Sequence, residues 1–184
     1  MKLSEKHLKL KNGKNLILTS PKIENAQEIA DYLNTIAGQT RFMSIDIDDA
    51  KATREGEEKW ITEIAKDEKS LNVIAQVDGK IVGLGNVNPK RISRIRYRHA
   101  CLIGISILKE YWGLGIASAI MSELIDFAKK TGFDQIELRV VSTNESAIHL
   151  YKKYGFVEVG HLIHAMKYTD GTYADFIKMQ KILI

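Results

Sequence analysis

Cysteine is almost absent from this 184-residue chain, which has one, Cys101. A lone thiol excludes an internal disulfide framework and a multi-cysteine zinc site, and makes a reducing cytoplasm the expected setting. Cysteine is among the most buried residue types, so Cys101 is expected to be an inert core thiol. Proline is nearly as scarce, at two residues, and no proline-rich linker breaks the chain. Long apolar runs are missing as well: no segment approaches the roughly 18 uninterrupted apolar residues that a membrane span requires. The opening stretch MKLSEKHLKLKNGKN has no apolar core of the signal-peptide kind. With no repeat and no low-complexity tract, residues 1–184 are expected to form one domain around one core.

Charge is modest, at +4. Much of it lies in Lys90, Arg91, Arg94, Arg96 and Arg98, between two strand-like segments. That run reads either as a solvated loop or as a lure for a polyanion or an acidic partner. Only Tyr97 interleaves it and no nucleic-acid motif accompanies it, so nucleic acid and membrane are not expected partners.

What is present is an alternation of strand and helix patterns. Residues 14–19 read as a strand, and residues 23–37 as a helix with Ile29, Leu33 and Ile36 at helical spacing and Gly38 as its stop. Residues 55–66 form a second amphipathic helix. Two β-rich runs, 71–77 and 80–87, flank Asp78-Gly79, the turn of a type I′ hairpin. Residues 101–108, CLIGISIL, are apolar almost throughout, as in a central strand buried on both faces, and Gly104 marks a close approach to its backbone. A helix from Ile116 to about Gly132, a strand at 135–141, a short helix at 146–154 and a final pair of strands around Asp170-Gly171 follow. The order β-α-α-β-β-β-α-β-α-β-β describes an α/β protein with a mixed seven-stranded sheet.

The run Tyr111-Trp112-Gly113-Leu114-Gly115-Ile116-Ala117-Ser118 leads from the buried strand into a helix. The first amides of that helix have no intrahelical acceptors and share the positive end of its dipole, so they form a phosphate site. Gly113 and Gly115 allow positive φ and remove Cβ atoms, and Ala117 and Ser118 are small. A ligand-free glycine turn remains an alternative on this pattern alone. A Walker loop is excluded, because Ile116-Ala117 stands where lysine and a hydroxyl residue are needed. A dinucleotide fingerprint is disfavoured by the preceding antiparallel hairpin, although Glu137 lies at a suggestive distance.

Residues 101–156 resemble the GNAT superfamily of N-acetyltransferases through the strand LIGISIL, the turn YWGLGIA and the block NESAIHLYKKYGF. The ending Asp170-Gly171-Thr172-Tyr173-Ala174-Asp175 with Met179 resembles the branch of ribosomal-protein and polyamine N-acetyltransferases, and the similarity runs from about Leu10 to the C-terminus. The resemblance implies a mostly antiparallel seven-stranded sheet, about four flanking helices and splayed central strands. It implies acetyl-CoA as co-substrate, with its pyrophosphate on Trp112 to Ser118 and its pantetheine arm along the main chains of Ile105 and Ile107. Trp112 replaces the usual Arg or Gln. The resemblance further implies Tyr151 as the acid that protonates the departing thiolate, and Asn144 as a contact to the arm or to an ordered water.

Read without the resemblance, Tyr151 is a core tyrosine and Asn144 the cap of its helix. Transfer of acetyl to an amine also needs a base, and the strand that often carries a glutamate in relatives offers only Cys101-Leu102-Ile103 here. Asp46, Asp48, Asp49, Glu137 and Asp175 are the remaining carboxylates. The resemblance implies that Asp46, in the loop after the first helix, and Tyr173 and Asp175 near the end border the acceptor pocket. His161 and His164, expected on opposite faces of a strand, give no metal site. The expected activity is acetyl-CoA-dependent N-acetylation of a primary amine, on a small molecule such as a polyamine or on a peptide, through a ternary complex. A degenerate acyl-CoA-binding sensor is the rival reading, and a monomer or homodimer the expected state.

Overall fold

The computed structural model describes residues 2–44, 51–90 and 94–184. Its elements are β1 (Lys6–Lys9), β2 (Asn15–Thr19), α1 (Ala26–Ala37), α2 (Arg54–Ile64), β3 (Leu71–Val77), β4 (Lys80–Pro89), β5 (Ala100–Ile107), α3 (Ile116–Lys130), β6 (Gln135–Val141), α4 (Glu145–Lys153), β7 (Val157–Lys167) and β8 (Tyr173–Ile182). The strands form one mixed eight-stranded sheet in the order β1-β2-β3-β4-β5-β6-β8-β7. The seven strands read from the sequence are joined by β1, an exposed edge strand of sequence KHLK with no apolar face to betray it. Only β5 and β6 run parallel.

Helices cover both faces of the sheet. Ile29, Tyr32 and Ile36 of α1 and Ile61 of α2 bury against Ile74, Ile81 and Leu108 on one side. On the other, Ile116, Ile120, Met121 and Leu124 of α3 pack on Val73, Val82, Val87 and Cys101. Each such large aliphatic side chain, withdrawn from water, contributes about 1.5–3 kcal/mol. Thr53 caps α2 by accepting from the Gly56 amide at 3.2 Å. Among the described residues no helix is long and apolar enough to cross a membrane.

A salt-bridge cluster closes the base of the β5–β6 pair. Glu137, 4% exposed, receives Lys90 at 2.5 Å and Lys178 at 2.9 Å. Burial raises its carboxyl, but the hydrogen bonds and charges of the two lysines outweigh burial and hold it below the usual range. Lys90, read from the sequence as part of a solvated or ligand-seeking basic run, therefore serves the interior; Arg91 lies outside the described residues.

Candidate active site

β5 pairs with β4 from Gly83↔Ile107 to Pro89↔Cys101, but with β6 only at Ala100↔Gln135, Cys101↔Ile136 and Leu102↔Glu137. β6 meanwhile stays on β8 to Val141↔Phe176. The two strands therefore fork. The Ala100 carbonyl accepts from Lys90 and the Leu108 amide donates to Val82, so even-numbered residues of β5 address β4. By alternation Ile105 and Ile107 turn their backbone groups into the fork. Buried peptide groups need partners, and those of Ile105 and the Ile107 amide offer themselves to whatever enters. The Ile107 carbonyl is already taken by the indole Nε1–H of Trp112, at 2.8 Å. Trp112 thus supplies an internal donor where its replacement of Arg or Gln removed one.

The fork opens into a cleft of about 890 Å³, within the 300–1,000 Å³ or so usual for ligand sites. At one end stands the glycine turn. Gly113 and Gly115 have φ of 77° and 96°, with open space where a Cβ would lie. Gly115 starts α3, whose first turn carries no acidic side chain. The amides of Ile116, Ala117 and Ser118 have no intrahelical acceptor, and with the dipole they form an anion seat. The Leu114 carbonyl accepts from the Lys11 amide at 3.4 Å, docking the β1–β2 turn on the seat. Gly113, Gly115, Ile116, Ala117 and Ser118 line the cleft, while Leu114 packs toward the core, so its share in binding is confined to its main chain.

α4 presents Tyr151, 8% exposed, to the same cleft. Its ring tilts against Phe156, with centroids 5.9 Å apart. Burial pushes its phenol up to about 12, so it is held protonated. No buried side-chain oxygen or nitrogen among the described residues lacks a partner, and no protein group bonds this hydroxyl, so it is open to the cleft. Asn144 caps α4: its Oδ1 accepts from the Ala147 amide at 3.2 Å, leaving the side-chain NH₂ for the cleft. Tyr154 donates to the Ser118 carbonyl at 2.8 Å and so fixes α4 to the first turn of α3.

The structure adds residues that sequence reasoning passed over. Lys11, Arg139, His149 and Lys153 line the cleft and favour a polyanion. Their signal was unreadable locally, since they come from a hairpin, a strand and a helix. On the α1 side the wall is Leu33, Ile36, Phe42 and Met43. Arg41 holds this wall, stacking 4.0 Å over Tyr168 and bonding Asp170 and Thr172 at 3.0 and 2.8 Å.

Other candidates fall elsewhere. Tyr173 and Asp175 are not among the described cleft-lining residues. Tyr173 stacks on His164 at 4.6 Å, and Asp175 accepts from the His164 amide at 2.8 Å and contacts His161 at 3.2 Å. That His164 bond, foremost, lowers the Asp175 carboxyl. A bulge between Leu162 and Met166, with His164 at φ 51°, breaks the alternation that should have parted the two histidines. Glu137 is locked between two lysines and is not among the described cleft-lining residues. Cys101 is buried, and burial pushes its thiol up to about 12. Asp46, Asp48 and Asp49 lie outside the described residues. Among the described residues no group of three potential metal ligands occurs.

A forked sheet whose cleft is lined by a glycine anion seat and a buried phenol is the fold of an N-acetyltransferase. The acetyltransferase (GNAT) family model matches residues 37–156, and the chain belongs to that family. It is 31% identical over 125 residues to the L-amino acid N-acetyltransferase AaaT of Escherichia coli K12, covering 67% of this chain and 75% of that one. A GNAT-family acetyltransferase from Streptococcus pneumoniae superposes with a TM-score of 0.85 at 30% identity, over 91% of this chain and 99% of its own. The yncA structure from Salmonella typhimurium, which holds its cofactor acetyl-CoA, shares the fold at a TM-score of 0.79 and 18% identity, over 92% and 94%.

Proposed function

We propose that this enzyme moves an acetyl group directly from acetyl-CoA to a primary amine, with both substrates bound together. The observation that carries the reading is the common cleft of the Gly113–Ser118 turn, the fork at Ile105 and Ile107, and Tyr151. Unpaired backbone groups, the open glycine seat and four cationic or basic side chains fit a chain of phosphates and amides. Acetyl-CoA supplies an activated thioester. Main-chain amides of residues 116–118 would hold its pyrophosphate, and Ile105 the amides of its arm. The Ile107 amide would polarise the acyl oxygen. Tyr151 would give its phenolic proton to sulfur as the C–S bond breaks and the C–N bond forms, and the proton lost by the amine returns through solvent to the phenolate.

A buried Cys101 with its thiol protonated disfavours an acetyl-cysteine route. The test is release of free thiol from acetyl-CoA on a panel of amines. Tight CoA binding with no amine-dependent thiol above background would replace the enzyme reading with that of an acyl-CoA sensor.

A further inference from the structure

The α1-facing side of β4 and β5 carries a polar pair that none of the roles above uses. Asn86 stands opposite Gly104, and Leu84 opposite Ser106. Alternation turns Ile103, Ile105 and Ile107 toward the α3 core, while Leu108 packs with α1 and Ser106 meets Tyr32 of α1. Gly104 and Ser106 therefore face the α1 side of the cleft. The amide of Asn86 folds over Gly104, where a Cβ would lie 3.2 Å from its Oδ1. No group among the described residues bonds that amide, and Asn86 lines the cleft. Ser106 Oγ accepts from the Tyr32 hydroxyl at 2.9 Å. Tyr32 is 3% exposed and its phenol is raised by burial, so it remains a donor. Ser106 thus has one lone pair filled and one free, with its own proton also available.

Around this floor the wall is mostly apolar, made by Leu33, Ile36, Phe42, Met43 and Leu84 with Thr40 and Ser44 beside them. Among the described residues no Asp or Glu lines the cleft. An uncharged donor–acceptor amide, a hydroxyl with a free lone pair and an aliphatic wall suit an amine that stands next to a carbonyl or amide and an apolar side chain.

We propose that Asn86 and Ser106, with Tyr32 behind Ser106, form the acceptor subsite, and that it takes the α-amine of an amino acid or peptide N-terminus with an apolar side chain. Asn86 pairs with the carbonyl or amide next to the amine. Ser106 accepts one amine N–H and leaves the nitrogen lone pair aimed at the fork. The apolar side chain lies on Leu33, Ile36 and Met43. This inference rests on the N-acetyltransferase reading and names its acceptor.

The test compares kcat/KM for free leucine, leucinamide, a tripeptide beginning with leucine, spermidine and Nα-acetyl-lysine. Leucinamide or the tripeptide should exceed spermidine and Nα-acetyl-lysine by about tenfold or more. Free leucine matching leucinamide would make the source a free amino acid, and a preference for the tripeptide a protein N-terminus; either supports the subsite. Asn86→Ala and Ser106→Ala should each lower kcat/KM for leucinamide about 5- to 10-fold, as loss of one hydrogen bond does, with the acetyl-CoA KM and the melting temperature little changed. Asn86→Asp, which adds a carboxylate without a change of shape, should raise the spermidine-to-leucinamide ratio. Preference for spermidine or the lysine side chain, or unchanged leucinamide kinetics in Asn86→Ala, would overturn the subsite while leaving the enzyme reading intact. No acetylation of any amine, with CoA still bound, would overturn both.

Discussion

The indole nitrogen of Trp112 donates to the main-chain carbonyl of Ile107 at 2.8 Å, joining the last residue of β5 to the residue before the glycine turn. The two points it connects, the strand that would read the pantetheine arm and the seat that would hold the pyrophosphate, would both have to meet one donor molecule, and a fixed distance between them spares that flexible arm a search. Trp112→Phe keeps a ring and removes the donor. It should raise the acetyl-CoA KM about 3- to 10-fold, the worth of a hydrogen bond, with a smaller change in kcat. Trp112→Gln, which restores a donor, should recover part of the loss. Steady-state kinetics in acetyl-CoA checks both. Wild-type affinity in Trp112→Phe would show that the bond does not set the spacing.

Tyr151→Phe should lower kcat by about 10²-fold or more, in the range of a lost general acid, and leave acetyl-CoA affinity nearly unchanged by calorimetry. Because burial pushes the Tyr151 phenol up to about 12, its proton stays in place across neutral and mildly alkaline pH. The rate should therefore climb with pH as the acceptor amine loses its proton, with no descending limb from Tyr151 in that range. An undiminished kcat in Tyr151→Phe would assign the acid elsewhere.

Gly115→Val should weaken CoA binding about tenfold or more and destabilise the fold by about 1–3 kcal/mol, because a β-branched residue is strained at φ 96°. Titration with CoA, alongside a thermal melt, separates the two effects. Normal CoA affinity in a folded variant would remove the turn from the pyrophosphate site.

Glu137→Gln should flatten the acid limb of stability. The folded carboxyl lies below its unfolded value, against the pull of burial, because Lys90 and Lys178 favour the charged form. Its contribution is therefore fully present above the unfolded pKa of about 4.3 and is lost as pH falls through the lower folded value. Urea titrations from neutral pH downward should show wild type losing this contribution and Glu137→Gln lacking it throughout, at a cost near neutrality of about 1–3 kcal/mol. A parallel acid decline in the two proteins would assign the effect to other carboxylates.

Much of the fold could be read along the chain because its signals are local. The hairpin at Asp78-Gly79 appears with φ of 51° and 78°, β6 spans Gln135–Val141 as read, and α1 stops at Gly38. β1 escaped because every one of its residues is exposed. Gly104 did signal a close approach, but what approaches is Asn86 from the neighbouring strand, which one-dimensional spacing could not name. Likewise Glu137 read as a free carboxylate until folding brought Lys90 and Lys178, 47 and 41 positions away, to its two oxygens. The anion seat was visible as a glycine pattern. The basic side chains lining the cleft around it were not, because they converge from separate elements.

The fork between β5 and β6 has one further consequence. Each prong is backed from outside, β5 by seven register pairs with β4 and β6 by seven with β8, so the edges that face the gap belong to two finished ladders. A ligand entering the gap would meet strand edges already ordered by those ladders, so little of its binding energy would go into ordering them.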